Sequence, residues 1–238
     1  MNPKDRFFIA VDRFEKKSEA LMFMLLVSPF ADGFKFGHGA IARQFAGALA
    51  RSARKKKKKV GWDQKFGDTP ETTEDGVLGA LTHKPNFFTV HASAGKESLK
   101  RAAAVPRGDA KLFVVTVLTS ISNDECVSIF GEGTENKVRQ FTEWAIEVGA
   151  EGVICSPREL RILASIPEYE KIEKGTPGIH LPWADKHGQE RTMSVAEAAE
   201  LADFIVVGHA IRDARMYGRT PQSVAEEILK EITRVRPK

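Results

Sequence analysis

The sequence predicts an α/β protein built as a closed barrel of eight parallel strands, the (β/α)8 or TIM barrel architecture. Three observations carry this expectation. Eight apolar runs of strand length recur along the 238 residues. Amphipathic segments of helical period separate most of them. No linker-like stretch interrupts the series, so one barrel domain over residues 1–238 accounts for the chain. A doubly wound open sheet is the alternative with the same alternation.

The strand-like runs are Phe7–Val11, Ala31–Phe36, Val60–Lys65, Asn86–His91, Lys111–Leu118, Gly152–Cys155, Lys171–Thr176 and Phe204–Val207. The seventh is the poorest, because Lys171, Glu173 and Lys174 are unusual material for a buried strand. Two helices carry clear start signals. Ser156-Pro157-Arg158-Glu159 reads as a capping box with proline in the first turn. Thr220-Pro221 opens a terminal helix whose Val224, Ile228 and Ile232 recur every fourth residue.

Composition narrows the class. Hydrophobic residues at 42% and charged residues at 29% suit a globular domain with a sizeable core. A net charge of +4 fits an anionic ligand but not a nucleic-acid-binding tail. Two cysteines, Cys126 and Cys155, make no disulfide framework and match no metal spacing. Cys155, in an apolar run, reads as a buried thiol. The first residues show no secretory pattern, and the apolar stretch Ala20–Val27 is too short to span a bilayer. The expectation is a soluble cytoplasmic protein without a membrane partner.

In a barrel of this kind, reactive groups sit at the C-terminal ends of strands. Asp12 ends the first strand, Lys35 lies near the end of the second between Gly33 and Gly37, and His91 ends the fourth. The third closes on Asp63-Gln64-Lys65-Phe66-Gly67-Asp68. Alternation along an extended strand points Asp63 and Lys65 the same way, with Asp68 following in the loop. Opposite charges held that close keep each other ionised. They suit a reaction that creates a negative charge and then captures it with a proton. For His91 two readings stand, a hydrogen-bonded strand end and a ligand contact.

These strings resemble the orotidine 5'-monophosphate decarboxylase family nearly along the full length. Ile9-Ala10-Val11-Asp12, Phe34-Lys35-Phe36-Gly37, the run from Asp63 to Thr72, Val90-His91, Val117–Ser122, Gly152–Pro157, Thr176-Pro177-Gly178-Ile179 and Val207-Gly208 occur in the family's order. The resemblance implies decarboxylation of orotidine 5'-monophosphate to uridine 5'-monophosphate in pyrimidine synthesis, without metal or cofactor. It makes Lys35, Asp63, Lys65 and Asp68 an alternating charge network, with Lys65 protonating the C6 carbanion. Asp12 and Lys35 would hold ribose hydroxyls. Ser122, or Ser120 in the neighbouring register, would meet the pyrimidine amide edge. Asp68 and Thr72 would reach into a partner's site, which implies a homodimer.

The phosphate grip departs from the family pattern. His209 stands where an arginine normally follows Gly208, Pro182 where a glutamine is usual, and His180 where an arginine often follows Pro-Gly-Ile. Neither histidine nor proline reproduces the planar bidentate grip of a guanidinium. In one reading, amides near Gly178 and Gly208 cradle the phosphate, with Arg212, Lys186 or Arg191 supplying charge. In the other, the chain acts on a different orotidine-like ligand or is impaired. We take the first. The loop Leu181–Thr192, with Trp183 and Gly188, reads as a lid, and Trp183 is expected to pack against the rim rather than cover the ligand.

Two further alternatives remain: an enzymatic one, the magnesium-dependent sugar-phosphate branch sharing Asp-x-Lys-x-x-Asp, and a non-catalytic nucleotide-binding relative. The basic run Arg54–Lys59 reads as a solvated helix end, where cations are favoured, rather than a nucleic-acid contact.

Overall fold

The computed structural model describes residues 6–185 and 191–235. Eight parallel strands close into a barrel in sequence order: β1 Phe7–Ala10, β2 Gly33–Gly37, β3 Lys59–Phe66, β4 Phe87–His91, β5 Lys111–Val115, β6 Gly152–Ile154, β7 Glu173–Thr176 and β8 Phe204–Val207. β1 pairs with both β2 and β8, which closes the ring and excludes the open-sheet alternative. Helices follow the strands and cover the outside.

Side chains divide the strands into two apolar layers, as the pleat requires. Outward residues such as Phe7, Ile9, Phe34, Val60 and Phe88 join the core shared with the helices. Inside the lumen lie Phe8, Ala10, Phe87, Phe113, Phe204 and Val206. The four phenylalanine rings sit with centroids 5.3–5.6 Å apart, mostly edge-on or tilted. Glycines on neighbouring strands make room for them: a Cβ on Gly152 would lie 2.1 Å from Phe113, and one on Gly61 would lie 2.2 Å from Phe87. The plug forms the floor beneath the C-terminal rim.

β7 forms despite its charges. Lys174 is only 6% exposed, and its ammonium donates to the carbonyls of Tyr169 at 2.8 Å and Ile172 at 3.0 Å. Its stem covers apolar surface while its head satisfies loop carbonyls. The terminal helix Pro221–Arg234 buries Val224, Ile228 and Ile232, and Thr220 and Ser223 cap it reciprocally. The start signal at Ser156 works differently from its capping-box reading. The Ser156 hydroxyl accepts the Arg158 amide at 3.2 Å, while Glu159 is buried and paired with Arg191 at 2.5 Å. The ion pair takes the carboxylate that a capping box would have used.

Candidate active site

Four charged side chains meet at the C-terminal mouth. Lys35 Nζ lies 2.6 Å from Asp12 Oδ2 and 2.9 Å from Asp63 Oδ2, and Lys65 Nζ lies 2.8 Å from the same Asp63 oxygen. One carboxylate oxygen is thus shared by two ammonium groups. The other, Asp63 Oδ1, accepts the Thr89 hydroxyl at 3.0 Å. Asp12 is fixed by the Gly37 amide, which donates to Oδ1 at 3.0 Å. A side chain on Gly37 would place its Cβ 2.6 Å from that oxygen, so glycine permits the approach.

Burial alone would raise the Asp63 carboxyl, but the ammoniums of Lys35 and Lys65 hold it far below the usual carboxylate range. Burial likewise opposes the charge on Lys35, and Asp63 and Asp12 overcome it, so the ammonium is held above its ordinary value. Asp63 and Lys35 therefore stay charged at neutral pH.

Simple alternation does not account for how Lys65 gets there. Between Trp62 and Phe66, β3 carries two more residues than β4 carries between their partners Phe88 and Val90. Lys65 sits within this bulge in the left-handed region, φ 50°. Its amide donates to Thr89 Oγ1 at 2.9 Å. Thr89 therefore holds both the carboxylate and the lysine backbone. Sequence reasoning missed it, although Phe87, Thr89 and His91 alternate on one face of β4 and the signal was present.

Two cavities adjoin at the cluster. One, of about 200 Å³, has apolar walls from Val115, Val117, Leu118, Ile154, Cys155, Pro177 and Val206, with Phe87 beneath and Thr119 at the loop side. The other, of about 180 Å³, is polar and is lined by Asp12, Arg13, Gly178, Gly208, His209 and Arg212. Lys35, Pro177 and Val206 line both. The arrangement suits a ligand with a flat ring at one end and a polar, anionic end at the other.

The family model for the orotidine 5'-phosphate decarboxylase / HUMPS family matches residues 5–228. The chain belongs to this family. It is 31% identical to the orotidine 5'-phosphate decarboxylase of Moorella thermoacetica, with 99% of this chain and 95% of that protein aligned. The corresponding protein of Heliobacterium modesticaldum is 30% identical over 98% of this chain and all of its own length. The crystal structure of orotidine 5'-phosphate decarboxylase from Lactobacillus acidophilus superposes with a TM-score of 0.76 at 26% identity, covering 95% of this chain and 98% of that one.

Against the family pattern, the geometry sorts the sequence-selected residues. Asp12, Lys35, Asp63 and Lys65 converge, and Gly208, His209 and Arg212 line the polar cavity. Asp68 does not join the other three within one chain. It is exposed, its Oδ1 accepts the Thr69 amide at 2.6 Å, and its carbonyl is pinned by the hydroxyls of Ser98 and Thr73 at 2.8 and 3.1 Å. Thr72, also exposed, accepts from the Thr69 hydroxyl at 2.9 Å. Ser122 does not line the apolar cavity; its hydroxyl caps the helix Asn123–Phe130 by accepting the Glu125 amide. Pro182 is exposed and lines neither cavity.

The charge sources expected for the phosphate also separate. Arg191 is 4% exposed and committed elsewhere, since it pairs with Glu159 and donates to the carbonyls of Val117 and Leu118 at 3.1 and 2.7 Å. Lys186 and Gly188 lie outside the described residues. Arg212 is gripped by Asp213, with Nε and Nη2 at 2.6 and 2.5 Å from its two oxygens, and donates to the Asp12 carbonyl at 3.2 Å. His209 Nε2 lies 3.1 Å from the Asp185 carbonyl.

Other sequence readings resolve locally. His91 Nδ1 accepts the Ser93 amide at 3.2 Å and caps the short helix after β4, which supports the hydrogen-bonded reading. Trp183 packs on the rim, 4.4 Å beneath the Arg219 guanidinium and 5.4 Å from the Tyr217 ring. Burial pushes the Cys155 thiol up, so it is an inert wall residue. In the basic run, Arg54 donates to the His83 carbonyl, Lys58 to the Ala31 carbonyl, and Lys59 pairs with Asp32. Among the described residues, no helix is long and apolar enough to cross a membrane.

Proposed function

We propose that this chain removes carbon dioxide from C6 of orotidine 5'-monophosphate, giving uridine 5'-monophosphate for pyrimidine synthesis. The observation that carries the reading is Asp63 Oδ2 held between Lys35 and Lys65 at 2.9 and 2.8 Å, on the wall of a mostly apolar cavity. The pyrimidine enters that cavity with its carboxylate against Asp63. Because two ammoniums keep Asp63 ionised, the substrate carboxylate meets a group that takes up no proton. The bond between C6 and the carboxyl carbon breaks, carbon dioxide leaves, and the electron pair stays on C6. The Lys65 ammonium stabilises that pair and passes it a proton, and the amine then regains one from solvent. Fixed charges aimed at a developing carbanion need no reorganisation during the step, which is where such sites gain most of their rate.

Lys35 and Asp12 hold the ribose hydroxyls between the two cavities, and the polar cavity takes the phosphate. The exposed Asp68 and Thr72, on a backbone pinned by Ser98 and Thr73, project toward a second copy and complete its site, so the working unit is a homodimer. Residues 1–238 act as one barrel domain, in the cytoplasm, without metal or cofactor. The direct test is ultraviolet absorbance during incubation with orotidine 5'-monophosphate, with and without a chelator. Consumption insensitive to chelator is expected. Activity abolished by chelation would move the chain to the magnesium-dependent branch, and no consumption at all would end the decarboxylase reading.

A further inference from the structure

Among the described residues, the basic side chains around the polar cavity are engaged by neighbouring groups, with one exception. Lys35 is paired with Asp12 and Asp63, and Arg212 is doubly bonded to Asp213. His209 contacts the Asp185 carbonyl. Arg13 also lines this cavity, yet among the described residues its guanidinium has no ion-pair or hydrogen-bond partner, and the residue is exposed at the mouth.

Its backbone is unusual as well. Five described residues other than glycine have positive φ: Arg13, Gln44, Lys57, Lys65 and Lys84. Gln44, Lys57 and Lys84 fall just beyond the ends of helices His38–Ala42, Ala46–Lys55 and Pro70–Leu81, where a left-handed turn is ordinary. Arg13 instead lies in the loop after β1, next to Asp12, and Lys65 lies near the C-terminal end of β3, two residues from Asp63. A long basic side chain kept in a disfavoured conformation at a cavity mouth points to use. At φ 62° the chain turns immediately after Asp12, whose own carboxylate stays on Lys35 while the next side chain borders the polar cavity.

From these observations we infer that Arg13 is the residue that grips the phosphate of the nucleotide in this chain. The inference rests on the decarboxylase reading for the identity of the nucleotide, but only on the geometry for the position of the anion. A phosphomonoester needs donors with unspent positive charge, and a guanidinium supplies two parallel ones. Arg212 contributes charge from behind, with its donors largely committed. The grip therefore comes from the loop after β1 rather than from the segment after β8, where His209 stands.

The test compares uridine 5'-monophosphate with uridine by titration calorimetry on the wild-type protein, Arg13→Ala, Arg13→Lys and, as a control, Arg43→Ala. Wild type is expected to prefer the monophosphate strongly. Arg13→Ala should weaken the monophosphate by roughly ten- to a hundredfold while changing uridine by less than twofold. Arg13→Lys should recover part of the loss, and Arg43→Ala should match wild type. Equal losses for both ligands, a monophosphate affinity unchanged by Arg13→Ala, or a wild type that does not distinguish the two ligands would each overturn the inference. Turnover of orotidine 5'-monophosphate, measured in parallel, judges the decarboxylase reading separately. A wild type that binds the monophosphate through Arg13 without turning over substrate would sink that reading and leave the phosphate contact standing.

Discussion

Thr89 donates its hydroxyl hydrogen to Asp63 Oδ1 at 3.0 Å, so the carboxylate is clamped on the side opposite its two ammoniums. The same hydroxyl oxygen accepts the Lys65 amide at 2.9 Å, tying the bulge of β3 to β4. Thr89→Val keeps the shape and removes both bonds. It should lower kcat with orotidine 5'-monophosphate about ten- to a hundredfold, with a stability loss of about 1–3 kcal/mol for the buried groups left unpaired. Steady-state kinetics beside thermal unfolding would check this; wild-type kcat in a folded variant would remove Thr89 from the positioning network.

Lys65 joins the charge cluster of its own chain, whereas the exposed Asp68 does not, and the proposed dimer would bring Asp68 to the partner's cluster. Lys65→Ala should abolish decarboxylation while still binding uridine 5'-monophosphate, and Asp68→Ala should also be inactive alone. Mixing the two after partial unfolding and refolding should restore up to about a quarter of wild-type activity, because half the dimers carry one intact site. No recovery from a mixture shown to contain mixed dimers would count against a shared site.

His91 gives a pH signature. Burial, and then the Lys65 ammonium, lower its imidazole from 6.5 to about 4. A depressed value means that the unfolded chain binds the proton first as pH falls. The corresponding stability is fully present above 6.5 and is lost as pH falls toward 4, with a slope of up to about 1.4 kcal/mol per pH unit. His91→Asn keeps an acceptor for the Ser93 amide and removes the titration. Urea unfolding midpoints between pH 7 and 4.5 should fall more steeply for wild type than for the variant; parallel curves would contradict the assignment.

The phenylalanine plug predicts opposite effects for two glycines. In Gly61→Ala the new Cβ would meet Phe87 at 2.2 Å, so the variant should lose about 1–3 kcal/mol, or roughly 2–4 °C of Tm for each of these. Gly79, inside the helix Pro70–Leu81, has open space where a Cβ would stand, with nothing within 4 Å, so Gly79→Ala should be stabilising by about 0.5–1 kcal/mol. Thermal unfolding of the pair decides, and equal melting temperatures would deny the plug its tight fit.

Much of the barrel was legible in the residues. All eight predicted runs overlap strands, with ends displaced by at most three residues, as for β5, which stops at Val115 rather than Leu118. The terminal helix was legible through Val224, Ile228 and Ile232. Ser122 was not, because a serine before Asn123-Asp124-Glu125 serves equally as a helix cap or a ligand donor, and only the loop path chooses. Arg191 was open for the same reason: a cation in a polar loop gives no sign of a buried carboxylate 32 residues away in the chain.

Periodic hydrophobicity is local, so the sequence alone determined the number and order of the strands and which polar residues stand at their ends. Contacts between distant segments are not local. The shared oxygen of Asp63, the bulge that turns Lys65, the clamp by Thr89 and the bond from Arg212 to the Asp12 carbonyl, 200 residues apart, were decided only when the barrel closed. Closure sets which side chains share a wall and which charges are already neutralised, and among the described residues that left Arg13 as the unspent cation at the polar cavity.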